Sequence, residues 1–177
     1  MDFSKPQEII LQMGLRDGMR VVDIGSGVGH YTLAAAPIVG EEGRVYAVDV
    51  QEPVLKALKR EVVERGFSNV STIWGDIEQQ FGTKLKGEVV DAAIIANTLF
   101  QLDDKNAAVK EIKRILKPGG TVLVVDWAGC YNNIGPEEKC IIEEHTAERL
   151  FIDMGFHKEK AFRAGPHHYA LVFKKPS

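Results

Sequence analysis

The sequence predicts an α/β fold with a mostly parallel central sheet and one reversed strand near its edge. Three observations support this prediction. Short apolar runs alternate with segments of helical periodicity along most of the 177 residues. A glycine-rich turn follows the first apolar run. The last two strand-like runs are separated by only RAGPH, residues 163–167, which is too short for a parallel crossover and predicts an antiparallel hairpin.

Seven apolar runs are predicted to be strands. The first five lack strict alternation of polar and apolar residues, as is typical of strands covered on both faces. They are RVVDI (20–24), RVYAVDV (44–50), VSTIW (70–74), VVDAAIIA (89–96) and TVLVVDW (121–127). The hairpin contributes FHKEKAF (156–162) and HYALVFKK (168–175). Alternation of strands with helices favours βαβ units with right-handed crossovers.

Helical patterns lie between these runs. Pro53 can occupy the first turn of one helix, and Gly66 can end it. An apolar stripe predicts another helix over 103–116, after which KPGG (117–120) is predicted to turn the chain into the next strand. The segment GTKLKGE (82–88) shows no assignable pattern.

Composition and charge narrow the function classes. A content of 45% hydrophobic and 27% charged residues is typical of an ordinary globular protein, and the length suits one domain over 1–177. The net charge of −3, without a long Lys/Arg block, argues against a nucleic-acid partner. Cys130 and Cys140 match no common zinc spacing and make a poor disulfide framework, so we expect reduced thiols and no metal site.

The chain also shows no targeting or membrane signal at the sequence level. Its first residues, MDFSKPQEII, lack the apolar core of a signal peptide, and no apolar run is long enough to cross a bilayer. We therefore expect a cytoplasmic protein without membrane insertion. The oligomeric state has no signature in the sequence.

The glycine-rich turn predicts the kind of ligand. Its pattern is D-x-G-x-G-x-G, formed by Asp23, Gly25, Gly27 and Gly29, whereas dinucleotide enzymes use G-x-G-x-x-G to meet a pyrophosphate. A carboxylate beside the loop would repel a pyrophosphate and attract a cation. S-adenosylmethionine (SAM) has no phosphate and carries an ammonium and a sulfonium. The sign of the charge therefore favours SAM.

Further polar residues follow the next strands. Asp49, with Val50 beside it, ends the second run, where a carboxylate can accept hydrogen bonds from both ribose hydroxyls. Asp76 follows the third run, where it can accept from the adenine amine while Ile77 packs on the ring. Each acid also has a local alternative: a turn cap for Asp23, a strand-end residue before a helix for Asp49, and an N-cap for Asp76.

These motifs together resemble the class I SAM-dependent methyltransferases. The resemblance is carried by VVDIGSGVGHYTLAAA, GRVYAVDV, WGDIE, VVDAAIIANTLFQL, ILKPGGTVLVVDW and HHYALVFKK, which cover nearly the whole chain. Within that superfamily the chain is most similar to the small-molecule branch, which includes ubiquinone/menaquinone-biosynthesis and arsenite methyltransferase relatives.

The resemblance has specific implications for the fold and the site. It implies a three-layer, Rossmann-like sheet of seven strands in the order 3-2-1-4-5-7-6, with strand seven antiparallel. It implies that Asp23 and the glycines hold the methionine part of SAM, Asp49 the ribose, and Asp76 with Ile77 the adenine. Asn97, for which a turn role is the alternative, is then expected near the methionine or methyl end.

The chemistry places modest demands on the protein. A sulfonium is an activated methyl donor, so alignment and desolvation are the main tasks. A general base is required only if the acceptor arrives protonated, and the candidates are His30, Asp126, His167 and His168. His167 and His168 are adjacent on a strand and are expected to point to opposite faces, with positions at the rim of the site as the alternative to a base. Phe100 and Trp127 can shield the sulfonium or simply pack.

Two features bear on the acceptor. The chain has NTLF (97–100) where enzymes that methylate exocyclic or amide nitrogens often carry an Asn/Asp-Pro-Pro-aromatic turn, which argues against a nucleobase amine. The segment 128–142 is short for a lid, and two cysteines are few for arsenic chemistry. We predict a SAM-dependent methyltransferase for a small molecule. The alternatives are a SAM-binding module without turnover and a protein or RNA methyltransferase that needs a partner, with a nicotinamide dehydrogenase disfavoured by the loop charge.

Overall fold

The computed structural model describes residues 5–131 and 135–177, and these contain one seven-stranded sheet in the order β3-β2-β1-β4-β5-β7-β6. The strands are β1 (Arg20–Ile24), β2 (Arg44–Asp49), β3 (Val70–Trp74), β4 (Val90–Ala96), β5 (Leu116–Trp127), β6 (His157–Arg163) and β7 (His168–Lys174). The pairs among β1 to β5 are parallel, while β7 is antiparallel to both β5 and β6. The predicted fold, strand order and hairpin are confirmed.

Helices cover both faces of the sheet. They are α1 (Pro6–Ile10), α2 (His30–Val39), α3 (Glu52–Glu64), α4 (Lys105–Ile115) and α5 (Glu144–Asp153), with short 3-10 turns at Leu11–Met13, Leu99–Gln101 and Glu138–Cys140. Residues of α1 and α2 share one apolar cluster with the sheet, α3 packs beside them, and α4 and α5 share a cluster on the opposite face. The result is the predicted three-layer arrangement.

The helix signals in the sequence locate two helices well. Pro53 lies in the first turn of α3, as predicted. The helix predicted over 103–116 is α4, and it begins after Asp104, whose side chain accepts a hydrogen bond from the backbone N–H of Ala107 at 2.9 Å. Among the described residues, no helix is both long enough and apolar enough to span a membrane.

The prediction that KPGG forms a turn before β5 is wrong. The strand begins at Leu116 and includes these residues, with a register shift against β4. The reason is a pairing that the local sequence does not reveal: the N–H of Gly119 donates to the carbonyl of Lys175, and the N–H of Lys175 donates to Gly120. The chain after β7 thus pairs with KPGG, which bulges from β5: Leu116 pairs with Val90 and Thr121 with Ala92, and Gly119 between them has φ +73°.

Residues 75–89, between β3 and β4, contain neither helix nor strand. The buried carboxylate of Glu111 on α4 holds this segment: it accepts from the hydroxyl of Thr83 at 2.6 Å and from the N–H of Phe81 at 3.2 Å. Arg114 pairs with the same carboxylate at 2.7 Å. An ion pair from the neighbouring helix therefore replaces regular structure here.

The topology brings several chain segments to one edge. The carboxyl ends of β1 to β5 meet there, and because β7 is antiparallel, its amino end lies at the same edge. β1 is flanked by β2 on one side and β4 on the other, which is the switch point where ligands bind in sheets of this kind. Two sequence predictions involve residues outside the described ranges: the amino-terminal stretch includes residues 1–4, and the lid segment includes residues 132–134.

Candidate active site

A cavity of about 830 Å³ opens at this edge of the sheet. Its lining includes every residue predicted to bind the cofactor except Gly29: Asp23, Gly25, Gly27, Asp49, Val50, Asp76, Ile77 and Asn97. Of the four candidate bases, His30 and His168 line the cavity, whereas Asp126 and His167 are not among its lining residues. The residues singled out from separate parts of the sequence therefore converge on one cavity.

Two of the glycines are required for different reasons. Gly25 has φ +65°, and a Cβ there would overlap the side chain of Thr98, which follows β4. Gly29 has φ +89°, and a Cβ there would overlap Leu58 of α3. Gly25 thus lets the loop approach β4 beside the cavity, while Gly29 lets the start of α2 pack against α3.

Asp23 is buried at the cavity wall and has one side-chain partner on α2. Its Oδ2 accepts a hydrogen bond from the hydroxyl of Thr32 at 2.6 Å, and its side chain is only 2% exposed. Burial raises the pKa of Asp23 to about 6, and the charge of Asp49 adds to the rise. A cation next to this carboxylate would stabilise its ionised form, which burial disfavours.

Asp49 connects β2 to the glycine loop. Its Oδ2 accepts from the N–H of Gly27 and its Oδ1 accepts from the N–H of Gln51, both at 2.9 Å. Each carboxylate oxygen has more than one acceptor position, so the group retains capacity for a ligand's hydroxyls. Asp49 therefore fixes the loop and still faces the cavity.

Asp76 lies in a local turn at the cavity. Its Oδ1 accepts from the N–H of Glu78 at 2.9 Å, but no helix follows in the described segment 75–89, so the alternative N-cap role is not observed. It also lines the cavity together with the buried side chain of Ile77. Among the described residues, the other carboxylate oxygen of Asp76 accepts no hydrogen bond and remains available to a ligand.

Three polar atoms in the lining are buried and have no hydrogen-bond partner among the described residues: Ser26 Oγ, Asn97 Oδ1 and His168 Nε2. The backbone of Asn97 is held in the left-handed region at φ +54°, where its N–H donates to Val125 at 2.8 Å and Gln101 donates to its carbonyl at 2.7 Å. Buried polar atoms in native proteins are nearly always partnered, so these three indicate contacts to a ligand.

An aromatic wall closes the β5–β7 end of the cavity. The rings of Trp127 and His168, which are paired across the two strands, lie 4.3 Å apart between centroids. Burial lowers the pKa of His168, and nearby His167 and Arg163 add to the effect. The ring of His167 instead packs 4.2 Å from that of Tyr131, so the two adjacent histidines have separate surroundings.

Asp126 precedes Trp127 on β5 and is buried, but it is not among the cavity-lining residues. Its Oδ1 accepts from the N–H of Trp127 at 2.8 Å, and its Oδ2 accepts from the N–H of Phe100 at 3.2 Å. Burial raises the pKa of Asp126 to about 6. These contacts position Trp127 and the 3-10 turn at Leu99–Gln101.

Sequence reasoning missed three of the residues that shape the site: Ser26, Thr32 and Thr98. Ser26 lies inside the glycine motif, which is a signal that could have found it. Thr32 and Thr98 contact Asp23 and the glycine loop through the tertiary fold, and their sequence context carries no comparable signal. Within 5–131 and 135–177, no group of three or more His, Cys, Asp or Glu side chains is arranged to hold a metal ion.

Comparisons with known proteins agree with this geometry. A family model described as "Methyltransferase domain" matches residues 15–162. The ubiquinone/menaquinone biosynthesis C-methyltransferase of Teredinibacter turnerae is 34% identical over 122 residues, which cover 68% of this chain and 48% of that protein. The chain thus spans about half the length of the curated relatives it matches.

Solved structures are similar over nearly the whole chain. The crystal structure of a SAM-dependent methyltransferase from Aquifex aeolicus superimposes with a TM-score of 0.89 at 26% identity, covering 97% of this chain and 90% of that one. An arsenic(III) SAM methyltransferase from Chlamydomonas reinhardtii gives a TM-score of 0.72 at 22% identity, covering 92% and 65%. The second likeness shows the fold alone. The resemblance inferred from the motifs is confirmed.

Proposed function

We propose that this chain, which belongs to the methyltransferase domain family, transfers a methyl group from SAM to a small-molecule acceptor by in-line displacement. The observation that carries the proposal is the charge of the cavity. Its described lining contains four carboxylates, Asp23, Asp49, Asp76 and Glu78, and no Lys or Arg. Such a cavity attracts an ammonium and a sulfonium and disfavours a pyrophosphate.

The strand order gives the cavity a direction that supports this assignment. Asp76 follows β3, Asp49 ends β2, Asp23 lies in β1 and Asn97 follows β4. Trp127 and His168 lie on β5 and β7. Because neighbouring strands are about 4.8 Å apart, these groups succeed one another along the sheet edge. The order suits adenine and ribose over β3 and β2, the methionine part over β1 and β4, and the acceptor over β5 and β7.

The unpartnered atoms fit SAM as well. Asn97 Oδ1 and the Asp23 carboxylate offer acceptors for the ammonium, and Ser26 Oγ offers a donor for the carboxylate of the methionine part. When bound, SAM supplies a methyl carbon whose bond to sulfur breaks as the acceptor attacks from the opposite side. The protein's part is to hold the two reactants in line and to exclude water from between them.

The acceptor class is supported by a separate observation. The Teredinibacter turnerae relative is named for C-methylation in ubiquinone/menaquinone biosynthesis, which supports a small-molecule acceptor. The chain spans about half of that protein's length. A cytoplasmic location belongs to the same proposal, supported by the free thiols of Cys130 and Cys140.

Two measurements test the proposal and its alternatives. Isothermal titration calorimetry with SAM and S-adenosylhomocysteine (SAH) should show binding of both, and absence of binding would reject the assignment. Incubation with radiolabelled SAM and fractionated cell extract should label a low-molecular-weight fraction. Label confined to protein or RNA would favour the partner-dependent alternative, and binding without label in any fraction would favour a module without turnover.

A further inference from the structure

We propose that Nε2 of His168 accepts a hydrogen bond from the methyl acceptor and takes up its proton during transfer, while the indole of Trp127 lies against the acceptor's flat face. This inference rests on the function proposed above and deepens it, because it assigns a catalytic residue and a chemical requirement for the acceptor. The acceptor must present a hydrogen-bond donor at its reacting end.

The state of His168 is the first argument. Its side chain is 5% exposed and lines the cavity, and Nε2 is buried without a hydrogen-bond partner among the described residues. Leaving a buried imidazole nitrogen unpaired is unfavourable, so its orientation makes sense if a ligand supplies the partner. The proposal requires the tautomer with the proton on Nδ1, which leaves Nε2 as an acceptor.

The position of His168 is the second argument. β5 and β7 follow β4 in the sheet, so His168 lies two strand spacings, roughly 10 Å, beyond the strand that precedes Asn97. Asp23 and Asp49 lie in the opposite direction along the edge. A group at this position faces the molecule that receives the methyl group.

The surroundings of His168 favour the neutral imidazole, which is the form that can accept a proton. The ring centroids of Trp127 and His168 are 4.3 Å apart. The nearby charges of His167 and Arg163 disfavour protonation of His168. From α2, His30 and Tyr31 line the same cavity. Burial acts in the same direction as His167 and Arg163 and lowers the pKa of His168, so the ring is neutral and able to accept.

The apolar residues near His168 indicate the shape and polarity expected of the rest of the acceptor molecule. Pro6 of α1 lines the cavity, and other residues of α1 share an apolar cluster with Val125 of β5 and Ala170 of β7. Together with the indole of Trp127, this makes an apolar surface that suits a flat, uncharged molecule. No charged partner for an ionic acceptor is found among the described lining residues at this end.

The proposed step balances without another reactant. An electron pair of the acceptor atom forms the new bond to the methyl carbon, and the pair of the carbon–sulfur bond goes to sulfur, which gives SAH. The proton of the acceptor's O–H or N–H moves to Nε2, and the imidazolium then releases it to water. One proton is released for each methyl group transferred.

A matched pair of probes tests the hydrogen bond without knowledge of the natural substrate. p-Cresol and p-xylene have the same shape, but only p-cresol carries a hydroxyl donor. Both are titrated into SAH-saturated protein with ¹⁵N-labelled histidine, and affinity and the His168 nitrogen shifts are followed by NMR. We expect p-cresol to bind about tenfold more tightly than p-xylene, with a shift of His168 Nε2.

Variants make the test specific. His168→Phe keeps a ring beside Trp127 and should abolish the preference for p-cresol, while His168→Gln retains an acceptor oxygen near the position of Nε2 and should keep part of it. His167→Phe, outside the cavity lining, is the matched control and should keep all of it. SAH affinity should be unchanged in all three variants, which also reports that they fold.

The outcomes separate this inference from the proposed function. If the wild-type protein binds SAH but shows no preference for p-cresol, or binds neither probe, the role of His168 is refuted and the SAM site stands. The same holds if His168→Phe keeps the preference. If the wild-type protein fails to bind SAH, the proposed function itself is refuted, and the role of His168 with it.

Discussion

Acidification should weaken SAM binding through the carboxylate of Asp23. Burial raises the pKa of this group from 3.8 to about 6 in the protein without ligand. A cationic ligand favours the ionised form, so below that pKa binding must also remove a proton. At about pH 5 roughly one molecule in eleven has Asp23 ionised, against nearly all at about pH 7.5, which predicts a roughly tenfold weaker affinity, or about 1.4 kcal/mol.

Calorimetric titration of SAM across this pH range measures the effect, and Asp23→Asn isolates it. The asparagine keeps the size of the side chain and can keep the hydrogen bond from Thr32, but it carries no charge. We expect weaker SAM binding by the variant at about pH 7.5, with a flat profile down to about pH 5. His30→Asn, a substitution of another cavity-lining residue beside the loop, is the control and should keep the wild-type profile.

The same variant makes a second, opposite prediction for stability. The folded-state pKa of Asp23 lies above its value of 3.8 in the unfolded chain, so burial destabilises the ionised protein above about pH 6, and this cost disappears as the pH falls below about 4. Asp23→Asn should therefore raise the free energy of unfolding at about pH 7.5, by about 3 kcal/mol at most. For the binding prediction, the placement of a cation beside Asp23 would be refuted by a wild-type SAM affinity that is constant between about pH 7.5 and about pH 5 and unchanged in Asp23→Asn.

Three further variants test other parts of the structure. Asp49→Asn replaces one of two acceptor oxygens by a donor and should weaken SAM binding about tenfold or more by calorimetry; unchanged affinity would contradict the ribose assignment. Gly29 has φ +89°, and in Gly29→Ala the new Cβ would overlap Leu58, so the free energy of unfolding measured in urea should fall by about 2 kcal/mol or more. An unchanged free energy of unfolding would show that α2 and α3 can move apart at little energetic cost. Glu111→Gln breaks an ion pair that holds residues 75–89 and should cost about 3 kcal/mol of stability and increase amide exchange in that segment; exchange that rises equally everywhere would argue against a local role.

Patterns that depend on neighbouring residues allowed most of the fold to be predicted. Apolar runs without alternation located the strands, and the short gap before His168 located the hairpin, because both follow from backbone geometry alone. The acids at successive strand ends converge on the cavity for the same reason: parallel strands end at one edge. The strand order itself came from the resemblance, since periodicity carries no information on which strands are neighbours.

Features that depend on distant contacts were missed. KPGG looks like a turn before the strand, but with its pairing to Lys175 it forms a bulge inside β5. Asp126 looks like a candidate base at a strand end, but it is not among the cavity-lining residues, and its carboxylate accepts from the N–H groups of Trp127 and Phe100. Thr32 and Thr98 contribute through tertiary contacts with no local signature.

The central claim is that an anionic cavity holds a cationic methyl donor, and a crystal structure of the protein grown with SAH and NAD⁺ together tests it most directly. We predict SAH along the sheet edge, with its ammonium within hydrogen-bond distance of Asp23 or Asn97 and its ribose on Asp49. NAD⁺ with its pyrophosphate on the glycine loop, or SAH bound elsewhere with Asp23 facing no ligand, would contradict the account.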